Sequence, residues 1–222
     1  MLDRVIDMVQ ANDLFEGFDL SEVNAIRSNY QSELEDAFNA RSIARQSKIE
    51  TRIAESDKKL LDLLPLKIEP GTSFHVLSGG DIDALSYLRV IFANTGYFKN
   101  VTISSWRISM AAMQQLHAWM DAGLIDCLNL VVDRRFARLS LDVLDYAKSF
   151  IYEYSGNISV TLTHAKITLL ENPEKDIYYV LESSANLNIN KRLEHTTIYN
   201  DKGLHDFYRD NMRYIAEKSD AP

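Results

Sequence analysis

Through residue 64 apolar side chains recur at three- and four-residue intervals. Val23, Ile26, Tyr30, Leu34, Ala37 and Phe38 form one such stripe, which predicts a helix. The stripe thins to Ile43, Ile49 and Ile53 among Arg, Lys and Glu, then thickens into Leu60, Leu61, Leu63 and Leu64. Two helices in a helical arm over residues 1–64 fit this better than one. Pro65 and Pro70 then remove backbone donors and push their predecessors toward extended conformations, so 65–71 is the expected boundary.

From Ser73 the period changes. Short apolar runs alternate with amphipathic stretches, as strands joined by crossover helices do. Phe74 to Ser78 is a predicted strand, and Gly79-Gly80-Asp81 turns into a helix with Ile82, Leu85, Leu88, Ile91 and Phe92 inward. Val101 to Trp106 is the next strand; Ser109 is placed to cap a helix with Met113, Leu116 and Met120 inward, and Gly123 stands where a left-handed C-terminal residue is wanted. Asp126 to Asp133 is a third strand, followed by a helix from Ser140 to Tyr154 and a turn at Ser155-Gly156-Asn157. Ile158 to Glu171 reads as one long extended run, Ile177 to Glu182 and Glu194 to Tyr199 as further strands, and Leu204 to Ile215 as a closing helix. Three consecutive β-α units predict an α/β fold, a mostly parallel sheet flanked by helices, with ligands at the carboxyl ends of its strands.

The 222 residues are 46% apolar and 10% aromatic, enough to fill a core. Charge sums to −8, which disfavours a diffuse grip on polyanions and leaves room only for a concentrated one. One cysteine, Cys127, excludes an intrachain disulfide and a Cys-based zinc site, and it is expected to act as a small buried hydrophobe. No apolar stretch approaches the ~20 residues that span a bilayer, and no signal-peptide pattern opens the chain, so it reads as cytoplasmic.

Within Ile158–Glu171 the two-residue period of a strand puts His164 and Lys166 on one face. An imidazole and an ammonium so placed can address a single anion, the ring as nucleophile or acid and the lysine as fixed charge. The same spacing also suits a half-buried His beside a snorkelling Lys. Ser183-Ser184-Ala185-Asn186 follows the next strand, where Ser184 and Asn186 offer small donors to phosphate oxygens, or an ordinary turn. Glu194, opening the strand after that, is placed to accept the His164 Nδ1 proton.

Taken together these residues resemble the phospholipase D superfamily, whose signature is H-x-K-x4-D, a G-S-x-N turn and a downstream acid. Here it reads His164-Ala165-Lys166, Glu171, Ser183-Ser184-Ala185-Asn186 and Glu194. The resemblance covers residues 72–217, one phospholipase D-like domain with one motif copy; the arm lies outside it. Three points differ: Glu171 stands for the Asp, Ser183 for the Gly, and the interval from Asn186 to Glu194 is short.

The resemblance implies a metal-independent phosphodiesterase needing no cofactor. His164 would form a phosphohistidine, Lys166, Ser184 and Asn186 would hold the phosphate, and Glu194 would orient the nucleophile. Because the chain has one motif copy, it also implies a homodimer with His164 of each subunit facing the other. Nucleic acid is the expected substrate; an inactive scaffold, with the arm binding a protein partner, and a lipid phosphodiesterase are the alternatives. Arg134, Arg135, Arg138, Lys191 and Arg192 suit either a phosphate track or solvated loops, Trp106 either a base-stacking ring or packing, Trp119 the core, and His195 the opposite strand face.

Overall fold

A computed structural model describes residues 48–187 and 192–219. The stripe around Val23–Phe38 and Lys191 lie outside the described residues. Within them the elements are α1 (Lys48–Leu63), β1 (Ser73–Ser78), α2 (Ala84–Thr95), β2 (Phe98–Ser105), α3 (Met110–Asp121), β3 (Ile125–Asp133), α4 (Arg134–Leu139), α5 (Leu141–Ile151), β4 (Asn157–Thr161), β5 (Ile167–Asn172), β6 (Ile177–Ser183), β7 (Glu194–Asn200) and α6 (Lys202–Ser219).

All seven strands form one mixed sheet in the order β1-β7-β6-β5-β2-β3-β4. β2, β3 and β4 pair in parallel, while β5, β6, β7 and β1 join as successive antiparallel neighbours. Following those directions across the sheet, β1, β2, β3, β4 and β6 point one way and only β5 and β7 the other. The carboxyl ends of five strands therefore share one edge with the amino ends of the remaining two.

Local chemistry explains the elements. Ser109 caps α3 by accepting from Ala112 N at 3.1 Å, and Gly123 follows at φ 68° in the left-handed region. Asp83 caps α2 through Leu85 N. Ser140 occupies the N-cap of α5, but its side chain makes no capping bond, because Ser140 also closes the short helix α4 that precedes it. Helices α2, α3 and α5 cover one sheet face over a core containing Phe92, Phe98, Leu116, Trp119 and Phe150; Trp119 is fully buried. α6 crosses the other face, where Met212 meets Val131, Leu169 and Val180. Cys127, near the amino end of β3, is only half-buried, and its Sγ donates to Ser155 O at 3.5 Å.

The long run expected from Ile158 to Glu171 is two strands. β4 lies at the sheet edge beside β3, and β5 lies on the far side of β2, so residues 162–166 cross the ends of β3 and β2. The apolar positions Ile158, Val160 and Leu162 shift by one to Ala165, Ile167 and Leu169, with Thr163 and His164 adjacent, so the alternation slips at this crossing.

Gly156, in the turn before β4, has no room for a methyl group. A Cβ there would meet Leu128 O at 2.1 Å and Ile151 Cγ2 at 2.8 Å. Gly156→Ala should cost about 1–3 kcal/mol through overpacking against backbone; a thermal melt lowered by several degrees checks this.

Candidate functional site

At the edge where five strands end, the crossing loop is tied down from below. Asp133, buried at the end of β3, accepts from Thr163 N through Oδ2 at 3.2 Å and from Arg135 N through Oδ1 at 2.8 Å. Thr163 Oγ1 accepts from Ala165 N at 3.2 Å, Ser104 Oγ donates to Ala165 O at 3.2 Å, and Ser183 N donates to Lys166 O at 2.9 Å. Apart from the Arg135 cap, each bond holds Thr163, Ala165 or the Lys166 backbone, and the His164 side chain is left exposed above them.

His164 and Lys166 do converge, although not as neighbours on a strand face. Lys166 Nζ donates to His164 O at 2.8 Å and lies 3.0 Å from Nδ1 and 3.3 Å from Nε2. The bonds that pin the loop, rather than strand periodicity, bring the ammonium onto the ring. Burial lowers the Lys166 ammonium's pKa, and the charge of Glu194 opposes that shift without cancelling it.

The Ser-Ser-Ala-Asn turn and the start of β7 close the same edge. Ser184 Oγ donates to the Glu194 carboxylate and accepts from His195 N at 3.0 Å, while Ser184 N donates to His195 O at 3.0 Å. Glu194 thus fixes the Ser184 hydroxyl and reaches Lys166 electrostatically. Ser183, at the family's glycine position, sits without strain: the non-glycine residues with positive φ among those described are Ser155 and Asp176. Its hydroxyl caps the turn, accepting from Ala185 N at 3.1 Å. Asn186 is half-buried, and its Oδ1 is enclosed with no hydrogen-bond partner among the described residues. Glu171 accepts from Asn100 Nδ2 at 2.8 Å, directly across β5 and β2, a structural tie well down the strand from His164. His195 is exposed and offers its backbone, not its ring, to Ser184.

Two contributors, Asp133 and Ser104, escape sequence reading, and a third, Trp106, is read there without its place. Asp133 carries only a cap signal, an acid just before a helical turn, and nothing local says that its second oxygen holds a loop 30 residues on. Ser104 is one more small residue in a strand. Trp106 packs its ring 5.7 Å from that of His164, tilted 50°. The segment after it is anchored by a parallel bridge of Ile108 to Leu187 and by Ser109 N donating to Leu187 O at 2.9 Å. The tryptophan therefore stands between the histidine loop and the Asn186 turn.

A cavity of about 440 Å³ lies under α6 on the second sheet face, lined by Asn100, Thr102, Asn129, Asn157 and Ser159 among others. It contains none of His164, Lys166, Ser184, Asn186 or Glu194; Lys166 lines a separate small pocket of about 30 Å³ with Ser104, Ser183 and Ala185. Among the described residues no group of three or more His, Cys, Asp or Glu side chains gathers at metal-ligand spacing, and no helix is long and apolar enough to cross a membrane.

No family model and no curated protein matches this sequence. Among solved structures it is similar to polyphosphate kinase from Porphyromonas gingivalis, at 15% identity and TM-score 0.48, over 68% of this chain but 27% of that one. It is also similar to Nuc from Salmonella typhimurium, a phospholipase D family member, at 15% identity and TM-score 0.46, over 65% of this chain and 93% of that one. NucT from Helicobacter pylori stands at 11% identity and TM-score 0.48, over 66% and 97%. The mixed seven-stranded sheet flanked by helices is an α/β arrangement.

Proposed function

We propose that this phospholipase D-like protein is a metal-independent phosphodiesterase acting on nucleic acid, with its site completed by a second copy of the chain. The observation that carries the reading is the meeting of Lys166 Nζ with both ring nitrogens of His164 at the edge that also presents the Ser184–Glu194 pair. One His164 ring attacks phosphorus as the bond to the leaving oxygen breaks, and the other subunit's ring gives that oxygen its proton. Water then releases the phosphoryl group from the ring. Lys166 and the Asn186 amide donate to the phosphate oxygens, and Ser184 joins them by turning its one hydroxyl hydrogen from Glu194 to the phosphate. Glu194 orients the site through Ser184 and through its field at Lys166. Because one ring must be unprotonated to attack and the other protonated to donate, the rate should rise and then fall with pH.

The test is incubation of the full chain, in EDTA, with DNA, RNA, phospholipid vesicles and bis-p-nitrophenyl phosphate, alongside sedimentation of the protein. Turnover of nucleic acid and the aryl diester by a dimer, with acid-labile phosphate on histidine, is the expected result. Turnover on vesicles alone would make it a lipid enzyme. No turnover by a folded dimer would leave a scaffold.

A further inference from the structure

In a chain of net charge −8, the surroundings of His164 are basic. Arg107 follows Trp106 at the end of β2, and Arg134 and Arg135 follow Asp133 at the end of β3; all three are exposed. Parallel pairing of Ser105 with Val132 sets these two strand ends side by side. Elsewhere Arg89, Arg209 and Arg213 are each neutralised by a carboxylate within 3.3 Å, whereas none of the three arginines at this edge makes an ion pair among the described residues. Arg135 is also one carboxylate away from the histidine loop, since Asp133 binds both Arg135 N and Thr163 N.

Beside these unneutralised guanidiniums stands an aromatic ring. Trp106 is half-exposed, while Trp119, the other tryptophan, is fully buried. A core role would have taken the Trp106 ring inward; the ring it meets instead is that of His164. Ring and cations together match the two contacts a nucleic-acid strand offers, a base face and backbone phosphates. In a duplex both faces of every internal base are already stacked, so only an unpaired base can lie on the ring.

We infer that Trp106 is a stacking platform for an unpaired base next to the scissile phosphate, with Arg107, Arg134 and Arg135 taking the flanking phosphates. The preferred ligand is single-stranded nucleic acid. This rests on the phosphodiesterase reading for its place in a reaction, but the binding it states can be measured without turnover.

The experiment titrates the full chain, in EDTA, with labelled oligo-dT, oligo-U and a hairpin duplex of equal phosphate number, reading both anisotropy and tryptophan emission. Single strands should quench the emission and bind more tightly than the duplex, with affinity falling steeply as salt rises. Trp106→Ala should weaken single-strand binding about 5- to 150-fold and Trp106→Phe much less, with circular dichroism confirming the fold of each. Equal affinity for strand and duplex, or Trp106→Ala binding as the parent does, would overturn the inference. If single strands quench and bind while no diester is ever cleaved, the catalytic reading fails and the stacking platform stands; cleavage without strand preference removes the platform and leaves the phosphodiesterase.

Discussion

His164→Ala should lower EDTA-resistant phosphodiester hydrolysis by about 10⁴-fold or more, the scale seen when a covalent nucleophile is removed. Lys166→Ala should cost about 10²–10³-fold, the range for losing one charged stabiliser of a developing anion. Lys166→Arg should not restore the rate, because a planar fork cannot sit 3.0 Å and 3.3 Å from two nitrogens of one ring as a compact ammonium does. Glu194→Gln should be milder: an amide oxygen still accepts from Ser184, and only the field at Lys166 is lost. If the two rings come from different subunits, mixing tests it directly. Wild-type chains unfolded and refolded with an equal amount of His164→Ala chains should show, per unit of total protein, about one quarter of the wild-type activity, since each mixed dimer lacks one ring. About one half would mean that each subunit works alone.

How far these residues are legible in the sequence depends on the range of the forces that place them. The β-α units announce themselves because capping and amphipathic spacing are local: Ser109 and Gly123 sit where the pattern puts them. The shared edge follows, since strands of like direction end together. The break between β4 and β5 leaves only a faint mark, the adjacent polar pair Thr163-His164 that shifts the alternation by one residue. What bends them is Asp133 and Ser104, 30 and 61 residues away from the atoms they bind. The spacing of His164 and Lys166 thus pairs the right residues by the wrong geometry. Ser183 shows the opposite case: as a sequence departure it looks damaging, yet its φ is ordinary and its hydroxyl serves the turn. Trp106 is visible as an aromatic and Arg134 and Arg135 as charges; only the register of β2 on β3 brings them to one place.

Arg89→Ala should destabilise the protein by about 3–5 kcal/mol, because it strands the buried Asp57 carboxylate; Asp57→Ala should cost less, since Asp83 still faces the guanidinium. The Arg89 and Asp57 side chains are each 1% exposed. Arg89 Nε donates to Asp57 Oδ2 at 2.8 Å, and Nη2 donates to Asp83 Oδ1 at 3.3 Å and Ser86 Oγ at 2.7 Å. Burial works against the guanidinium charge, but Asp57 and Asp83 outweigh it and raise its pKa. Beside this pair, Ser56 Oγ donates to Asp81 O at 2.6 Å and accepts from Asp83 N at 3.2 Å. The cluster therefore ties α1 to the turn leaving β1, whose Ser78 is paired with Glu194 at the site edge. At about 2–4 °C per kcal/mol for a domain of this size, the midpoint should fall by roughly 6–20 °C. Replacing both partners, Asp57→Leu with Arg89→Met, should recover most of that loss, since no lone charge then remains in the interior. A single Arg89→Ala variant that melts within a degree of the parent would show that α1 docks through Leu60 and Leu64 alone, and that the ion pair contributes nothing to holding it.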